Sequence, residues 1–153
     1  MQDTPFGWDV TMIEIEFGTG KRLNISYLVL DYNGTLACDG ILIEGVANLI
    51  KQLSEKLEIH ILTADTHGLV SAQVGNLPCI LYRIPGGSED VCKGNYVSSL
   101  GSSQTACMGN GRNDSLMLRN SAIGITVIGK EGASADAVKN ADIVVLSIID
   151  ALQ

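Results

Sequence analysis

Four short stretches of the 153-residue chain carry side chains suited to chemistry. Asp31-Tyr32-Asn33-Gly34-Thr35-Leu36 places a carboxylate at the end of an apolar run, and Thr63-Ala64-Asp65-Thr66 places a hydroxyl at the end of another. Lys93 opens a stretch of helical pattern. Gly109-Asn110-Gly111-Arg112-Asn113-Asp114 closes the set with a second cluster ending in a carboxylate. A carboxylate, a hydroxyl, an ammonium and a second carboxylate suit phosphoryl chemistry. One carboxylate can attack phosphorus, a Mg²⁺ ion can neutralise charge, and hydroxyl, backbone N–H and lysine can hold the phosphoryl oxygens.

The elements that must position these groups follow from hydrophobic patterning. Short apolar runs at 27–30, 58–62, 79–82, 105–108, 122–127 and 143–146 read as strands. Helical patterns at 44–56, 68–74, 88–100, 114–119 and 133–139 separate them, and a last helix begins near Ser147. In the first helix Val46, Leu49, Ile50, Leu53 and Leu57 recur at helical spacing. Strands that are apolar on both faces and alternate with helices imply a parallel sheet covered on both sides. Ligands then bind beyond the carboxyl ends of the strands, where all four stretches lie. Ahead of this unit, alternation over 10–17, a Gly18-Thr19-Gly20-Lys21 turn and renewed alternation predict a β-hairpin over 10–26. We therefore expect a three-layer α/β/α Rossmann-like fold in one domain, 1–153, with the hairpin at 10–26 and the core at 27–146.

Composition narrows the function classes. The chain is 46% hydrophobic and 18% charged, which supports a packed core and argues against disorder. Ten basic against seventeen acidic residues give a net charge of −7 with no Lys/Arg cluster, which argues against nucleic-acid binding. No run approaches 18 consecutive apolar residues, so no membrane partner is expected. The first residues lack a basic start followed by an apolar run, so the expected location is cytoplasmic. Cys38, Cys79, Cys92 and Cys107 include no C-x-x-C pair, and the two histidines are not at metal-ligand spacing. The cysteines are expected as free thiols, with no zinc site.

The motifs themselves resemble those of a known group. Leu28-Val29-Leu30-Asp31-Tyr32-Asn33-Gly34-Thr35-Leu36 resembles the first motif of haloacid dehalogenase (HAD) superfamily phosphatases. Leu62-Thr63-Ala64-Asp65 resembles the second, in a form like that of P-type ATPases; Lys93 matches the third; Gly109 to Asp114 resembles the fourth. Order and spacing extend over residues 27 to 146, and the likeness is greatest to soluble P-type-ATPase-like members without a cap. The resemblance implies a Mg²⁺-dependent hydrolase acting on phosphoester or phosphoanhydride bonds of a phosphorylated substrate. Asp31 would be the nucleophile, passing through an aspartyl-phosphate, and a Mg²⁺ ligand. The Asn33 carbonyl, Asn110 and Asp114 (directly or through water) would complete the metal site. Thr63, the N–H of Ala64 and Lys93 would hold the phosphoryl group.

Two departures qualify the expectation. The family's second aspartate in the first motif, which protonates the leaving group and later activates water, is Asn33 here. An amide does neither at neutral pH, so turnover should be slow. Asn110 replaces another common aspartate and removes charge from the metal site. These changes keep a second reading open: a weakened HAD-fold module that binds Mg²⁺ or a phosphorylated ligand and acts as a binding or regulatory partner. Neither the 31–63 nor the 63–93 interval has room for a cap. An uncapped site and the hairpin point to a homo-oligomer, although the hairpin also reads as an edge extension of the sheet. Asp65 reads equally as a motif residue or as charge at a helix start, and Arg112 as a substrate contact or a surface residue.

Overall fold

A computed structural model describes residues 11–65 and 68–153, so Val10, the first residue of the expected hairpin, lies outside the described residues. The first elements among the described residues are strands β1 (Ile13–Phe17) and β2 (Lys21–Ile25), which pair antiparallel with Ile15 opposite Leu23. Strand β3 (Tyr27–Asp31) leads to a small hairpin, β4 (Ala37–Cys38) and β5 (Ile41–Leu42), and then to helix α1 (Val46–Leu53). Strand β6 (Glu58–Thr63), helix α2 (Leu69–Val74), strand β7 (Ile80–Arg83) and helix α3 (Glu89–Leu100) follow. The rest comprises β8 (Thr105–Gly109), α4 (Ser115–Asn120), β9 (Ile123–Val127), α5 (Ala135–Asn140), β10 (Ile143–Val145) and α6 (Ile148–Leu152). Short 3₁₀ turns occupy Ser102–Gln104 and Arg112–Asp114.

Six strands form one parallel sheet in the order β10-β9-β8-β3-β6-β7. Side-chain alternation along the strands divides the core into two layers. Leu28, Leu30, Ile59, Ile61, Ala106 and Met108 pack on one face with Val46 and Ile50 of α1, Val70 and Val74 of α2, and Ile148 and Leu152 of α6. Val29, Leu62 and Cys107 pack on the other with Val97 of α3, Met117 and Leu118 of α4, and Ala137 of α5. This is the expected three-layer α/β/α fold with a leading hairpin. All four cysteines are free thiols, and among the described residues no helix is long and apolar enough to cross a membrane.

The strand order reverses at the centre. From β3 the chain moves outward through β6 and β7, and after α3 it returns to β8 on the other side of β3. A crevice forms at such a switch point, above the carboxyl ends of β3, β6 and β8. Asp31, Thr63 and Gly109 end those three strands.

The differences from the sequence expectation are local. The hairpin does not extend the main sheet: β1 and β2 pair only with each other among the described residues. Ser26, whose N–H donates to the Gln104 carbonyl and whose carbonyl accepts from Glu58, separates β2 from β3. Helix α1 is shorter than 44–56 because Gly45 adopts a left-handed conformation (φ 91°) and the chain leaves the helix at Ser54. The expected helix over 114–119 begins one residue later, since Asp114 belongs to a 3₁₀ turn. The β4–β5 hairpin fills what reads in sequence as a plain loop, and no cap domain is inserted among the described residues.

Candidate active site

Lys93 is the centre of the site. It lies in the second turn of α3 and is 1% exposed, a placement that a lysine tolerates only when its charge is matched. Its Nζ donates to Asp31 Oδ1 at 2.7 Å and to Asp114 Oδ1 at 2.6 Å. Burial alone would lower the Lys93 pKa, but Asp31 and Asp114 outweigh it and hold the ammonium above its usual value. For Asp31 the balance goes the other way. Burial, and then the Asp114 charge, push its carboxyl up to about 7 against the opposing pull of Lys93 and Thr35.

Asp114 is fully buried, and both its oxygens are engaged. Oδ1 accepts from Lys93, while Oδ2 accepts the N–H groups of Asn110 at 3.0 Å and Gly111 at 2.9 Å. It therefore fastens the loop after β8 and orients the lysine. Gly109 leaves space for this, since a Cβ there would lie 2.6 Å from the Asp114 side chain.

Thr35 links the nucleophile stretch to that loop. Its hydroxyl lies 3.1 Å from Asp31 Oδ2 and 3.2 Å from Asn110 Oδ1. Asn110 donates from Nδ2 to the Gly132 carbonyl at 3.2 Å, while its oxygen accepts from the Thr35 hydroxyl. Gly34 allows this approach: its φ is +78°, and a Cβ would sit 2.3 Å from Asn110 Nδ2. On the other side, the Thr63 oxygen accepts the N–H of Asp65 at 3.1 Å, which leaves its own proton free to donate.

Asp31, Asn33, Thr63, Ala64, Lys93 and Asn110 line one cavity of about 270 Å³, with Asp114 beneath it. Glu89, Gly111 and Asn113 complete the lining. Glu89 and Asn113 are additions to the sequence reading, and Asn113 Nδ2 donates to Glu89 Oε2 at 2.8 Å. Their signals were present, since Asn113 lies inside the fourth motif and Glu89 is one helical turn before Lys93. Arg112 points elsewhere: it pairs with Asp136 at 3.3 Å and is mostly exposed. Asp65 accepts the N–H of Val70 near the start of α2, the helix-start role.

The donor set fits a hard cation. Asp31 Oδ2 and Asn110 Oδ1 converge on one hydroxyl, and Asn33 lines the same cavity. Among the described residues no group of three or more His, Cys, Asp and Glu could hold a metal. Oxygen ligands few enough to leave room for water and a phosphate suit Mg²⁺. A dication there would also keep Asp31 ionised at neutral pH.

No protein-family model matches the chain. It is 41% identical over 70 residues to the uncharacterized protein MJ0073 of Methanocaldococcus jannaschii, covering 43% of this chain and 75% of that protein. Among solved structures it resembles the 3-deoxy-D-manno-octulosonate 8-phosphate phosphatase of Moraxella catarrhalis, seen in complex with magnesium and phosphate ions. That match has a TM-score of 0.65 at 14% identity, over 84% of this chain and 83% of the other. A Streptomyces avermitilis protein assigned to the HAD hydrolase family matches with a TM-score of 0.64 at 20% identity, over 80% and 76%. A zinc-transporting PIB-type ATPase in its E2.Pi state matches with a TM-score of 0.56 at 26% identity, over 66% of this chain but 16% of the ATPase. The fold is therefore the HAD-type hydrolase fold.

Proposed function

Because the chain belongs to the same family as the Methanocaldococcus jannaschii protein MJ0073 and has the HAD-type fold, we propose that it is a Mg²⁺-dependent phosphohydrolase acting through an aspartyl-phosphate at Asp31. The observation that carries the reading is the buried Lys93 bridging Asp31 and Asp114 at the switch point of the sheet. A structural ion pair has no need of that crevice. A nucleophile, a charge that orients it and a cavity of about 270 Å³ beside them suit a phosphoryl group.

Asp31 forms the new bond to phosphorus as the ester P–O bond breaks. Lys93 and the Thr63 hydroxyl hold phosphoryl oxygens, joined by the N–H of Ala64. Asp31, the Asn33 carbonyl and Asn110 would hold Mg²⁺, with Asp114 acting through Lys93, the loop and bound water. The ion, when bound, supplies positive charge against the phosphoryl oxygens and the carboxylate. Asn33 has no proton to give, so the leaving oxygen takes its proton from water, and a second water releases phosphate from Asp31 slowly. The phosphatase and ATPase relatives described above support phosphoryl chemistry on this fold.

The test is hydrolysis of 4-nitrophenyl phosphate with and without Mg²⁺, by the native chain and by Asp31→Asn. Metal-dependent release that vanishes in the variant is expected. Equal rates in both would overturn the assignment.

A further inference from the structure

The cavity that holds Asp31 contains a second carboxylate. Of the described residues that line it, only Asp31 and Glu89 are acidic. Glu89 is the first residue of α3, one helical turn before Lys93. Strands β7 and β8 belong to one parallel sheet, so α3, which joins them, runs back against the strands and begins beyond their carboxyl ends. Lys93 reaches Asp31 itself. Four residues of helix rise about 6 Å, so Glu89 stands one turn further out from the sheet than the group that grips the nucleophile.

The Glu89 carboxylate is held but not neutralised. Asn113 Nδ2 donates to its Oε2 at 2.8 Å. The neighbouring cations are engaged elsewhere, Lys93 with Asp31 and Asp114, and Arg112 with Asp136. Oε1 keeps its capacity to accept a proton. Glu89 and Asn113 also line the adjoining cavity of about 360 Å³, together with Gly87, Asp90 and Arg112. Gly87 and Arg112 are exposed, so Glu89 stands between the nucleophile and solvent. An acid in the first turn complements the helix dipole, a role that Asp90 fills equally. Lining the cavity of Asp31 is what separates Glu89 from Asp90.

Resting on the phosphohydrolase reading, we propose that Glu89 is the general base of dephosphorylation, taking the half of the acid–base role that concerns water. Displacement at phosphorus is in line, so the water that cleaves the aspartyl-phosphate enters on the side away from Asp31, the side on which Glu89 stands. As the water oxygen bonds to phosphorus, the P–O bond to Asp31 breaks and Asp31 regains its carboxylate. The water proton passes to Glu89 Oε1 and from there to solvent by way of the adjoining cavity. Protonation of the departing alkoxide in the first half of the reaction stays with water, because Asn33 gives no proton.

The experiment is steady-state hydrolysis of 4-nitrophenyl phosphate in Mg²⁺ by the full chain, by Glu89→Gln and by Asp90→Asn, with samples quenched in acid for intact mass. Glu89→Gln keeps an oxygen for Asn113 and removes the base. The expected result is turnover lower by roughly 10²-fold, with a larger fraction of the chain carrying a phosphoryl group. Asp90→Asn, which lines the adjoining cavity but not that of Asp31, keeps the native rate and the native fraction. Unchanged turnover in Glu89→Gln overturns the assignment. So does lower turnover with a phosphorylated fraction no larger than native, which places Glu89 in formation of the adduct or in the fold. A matching loss in Asp90→Asn overturns it as well, since charge at the start of α3 is then what counts. A native chain with neither Asp31-dependent release nor an adduct overturns the phosphohydrolase reading and the base with it.

Discussion

Lys93→Met removes the ammonium while keeping most of the side-chain volume. The two carboxylates it joins, Asp31 and Asp114, are 7% and 0% exposed, so water cannot replace it. Breaking a buried pair from one side costs about 3–5 kcal/mol. For a domain of this length each kcal/mol shifts Tm by about 2–4 °C, so a fall of roughly 10 °C is expected. The pH dependence is more specific. Asp31 is already raised to about 7 with Lys93 pulling it down, so without the lysine it rises further. The folded chain then holds a proton that the unfolded chain, with an ordinary carboxyl, gives up. Stability is therefore lost as pH rises, and the variant should lie closer to wild type at pH 5 than at pH 8. Adding Asp114→Asn removes the surplus charge and should restore part of the loss at pH 8. Thermal unfolding by circular dichroism at both pH values, without added metal, measures all of this. A single variant that melts within about 2 °C of wild type at pH 5 and pH 8 would refute the reasoning, as would a double variant with no recovery.

Other consequences are equally direct. Asn33→Asp supplies the missing acid and should raise turnover by roughly 10²-fold for alkyl phosphates and less for 4-nitrophenyl phosphate, read as kcat for each; equal gains for both would remove the general-acid explanation. In the absence of metal, the Asp31 carboxyl at about 7 makes stability fall as pH climbs from about 4 through 7. Mg²⁺ should therefore raise Tm more at pH 8 than at pH 5, and equal shifts in differential scanning fluorimetry would count against Asp31 as a ligand. His60, 2% exposed, is pushed down to about 4 by burial. Its Nδ1 lies 2.7 Å from the Tyr96 hydroxyl and its Nε2 lies 2.9 Å from Glu58. Glu58 does not reverse the shift, because burial raises its own carboxyl. The unfolded chain thus takes up a proton at His60 between pH 6.5 and about 4 that the folded chain refuses. This costs up to ~3 kcal/mol on acidification, with the sign opposite to that of Asp31. Denaturant titrations should show that His60→Phe removes that acid-side slope; an unchanged slope would locate it elsewhere.

The parallel sheet was legible because its central strands are largely apolar: Leu28-Val29-Leu30, and Ile59-His60-Ile61-Leu62 with its one histidine, are buried on both faces. The strand-end rule then located Asp31, Thr63 and Gly109 without further information. The β4–β5 hairpin was not legible, since two strands of two residues leave no periodicity, and Leu36, Ala37 and Ile43 are held by local backbone bonds to the carbonyls of Tyr32 and Leu36. The division of labour between carboxylates was hidden as well. Spacing brings Asp114 to the site but does not reveal that Lys93, Asn110 and Gly111 occupy its oxygens. Nor does spacing show that Asn110 needs an amide nitrogen for the Gly132 carbonyl, a bond a carboxylate could not make.

The most direct test of the account is the intact mass of the chain after exposure to acetyl phosphate and Mg²⁺, quenched in acid, followed by peptide mapping. The account predicts a covalent adduct of one phosphoryl group on the peptide carrying Asp31, removed by hydroxylamine, and absent from Asp31→Asn or when Mg²⁺ is withheld. A chain that hydrolyses phosphate esters without any such adduct, at a rate that Asp31→Asn leaves unchanged, would contradict it.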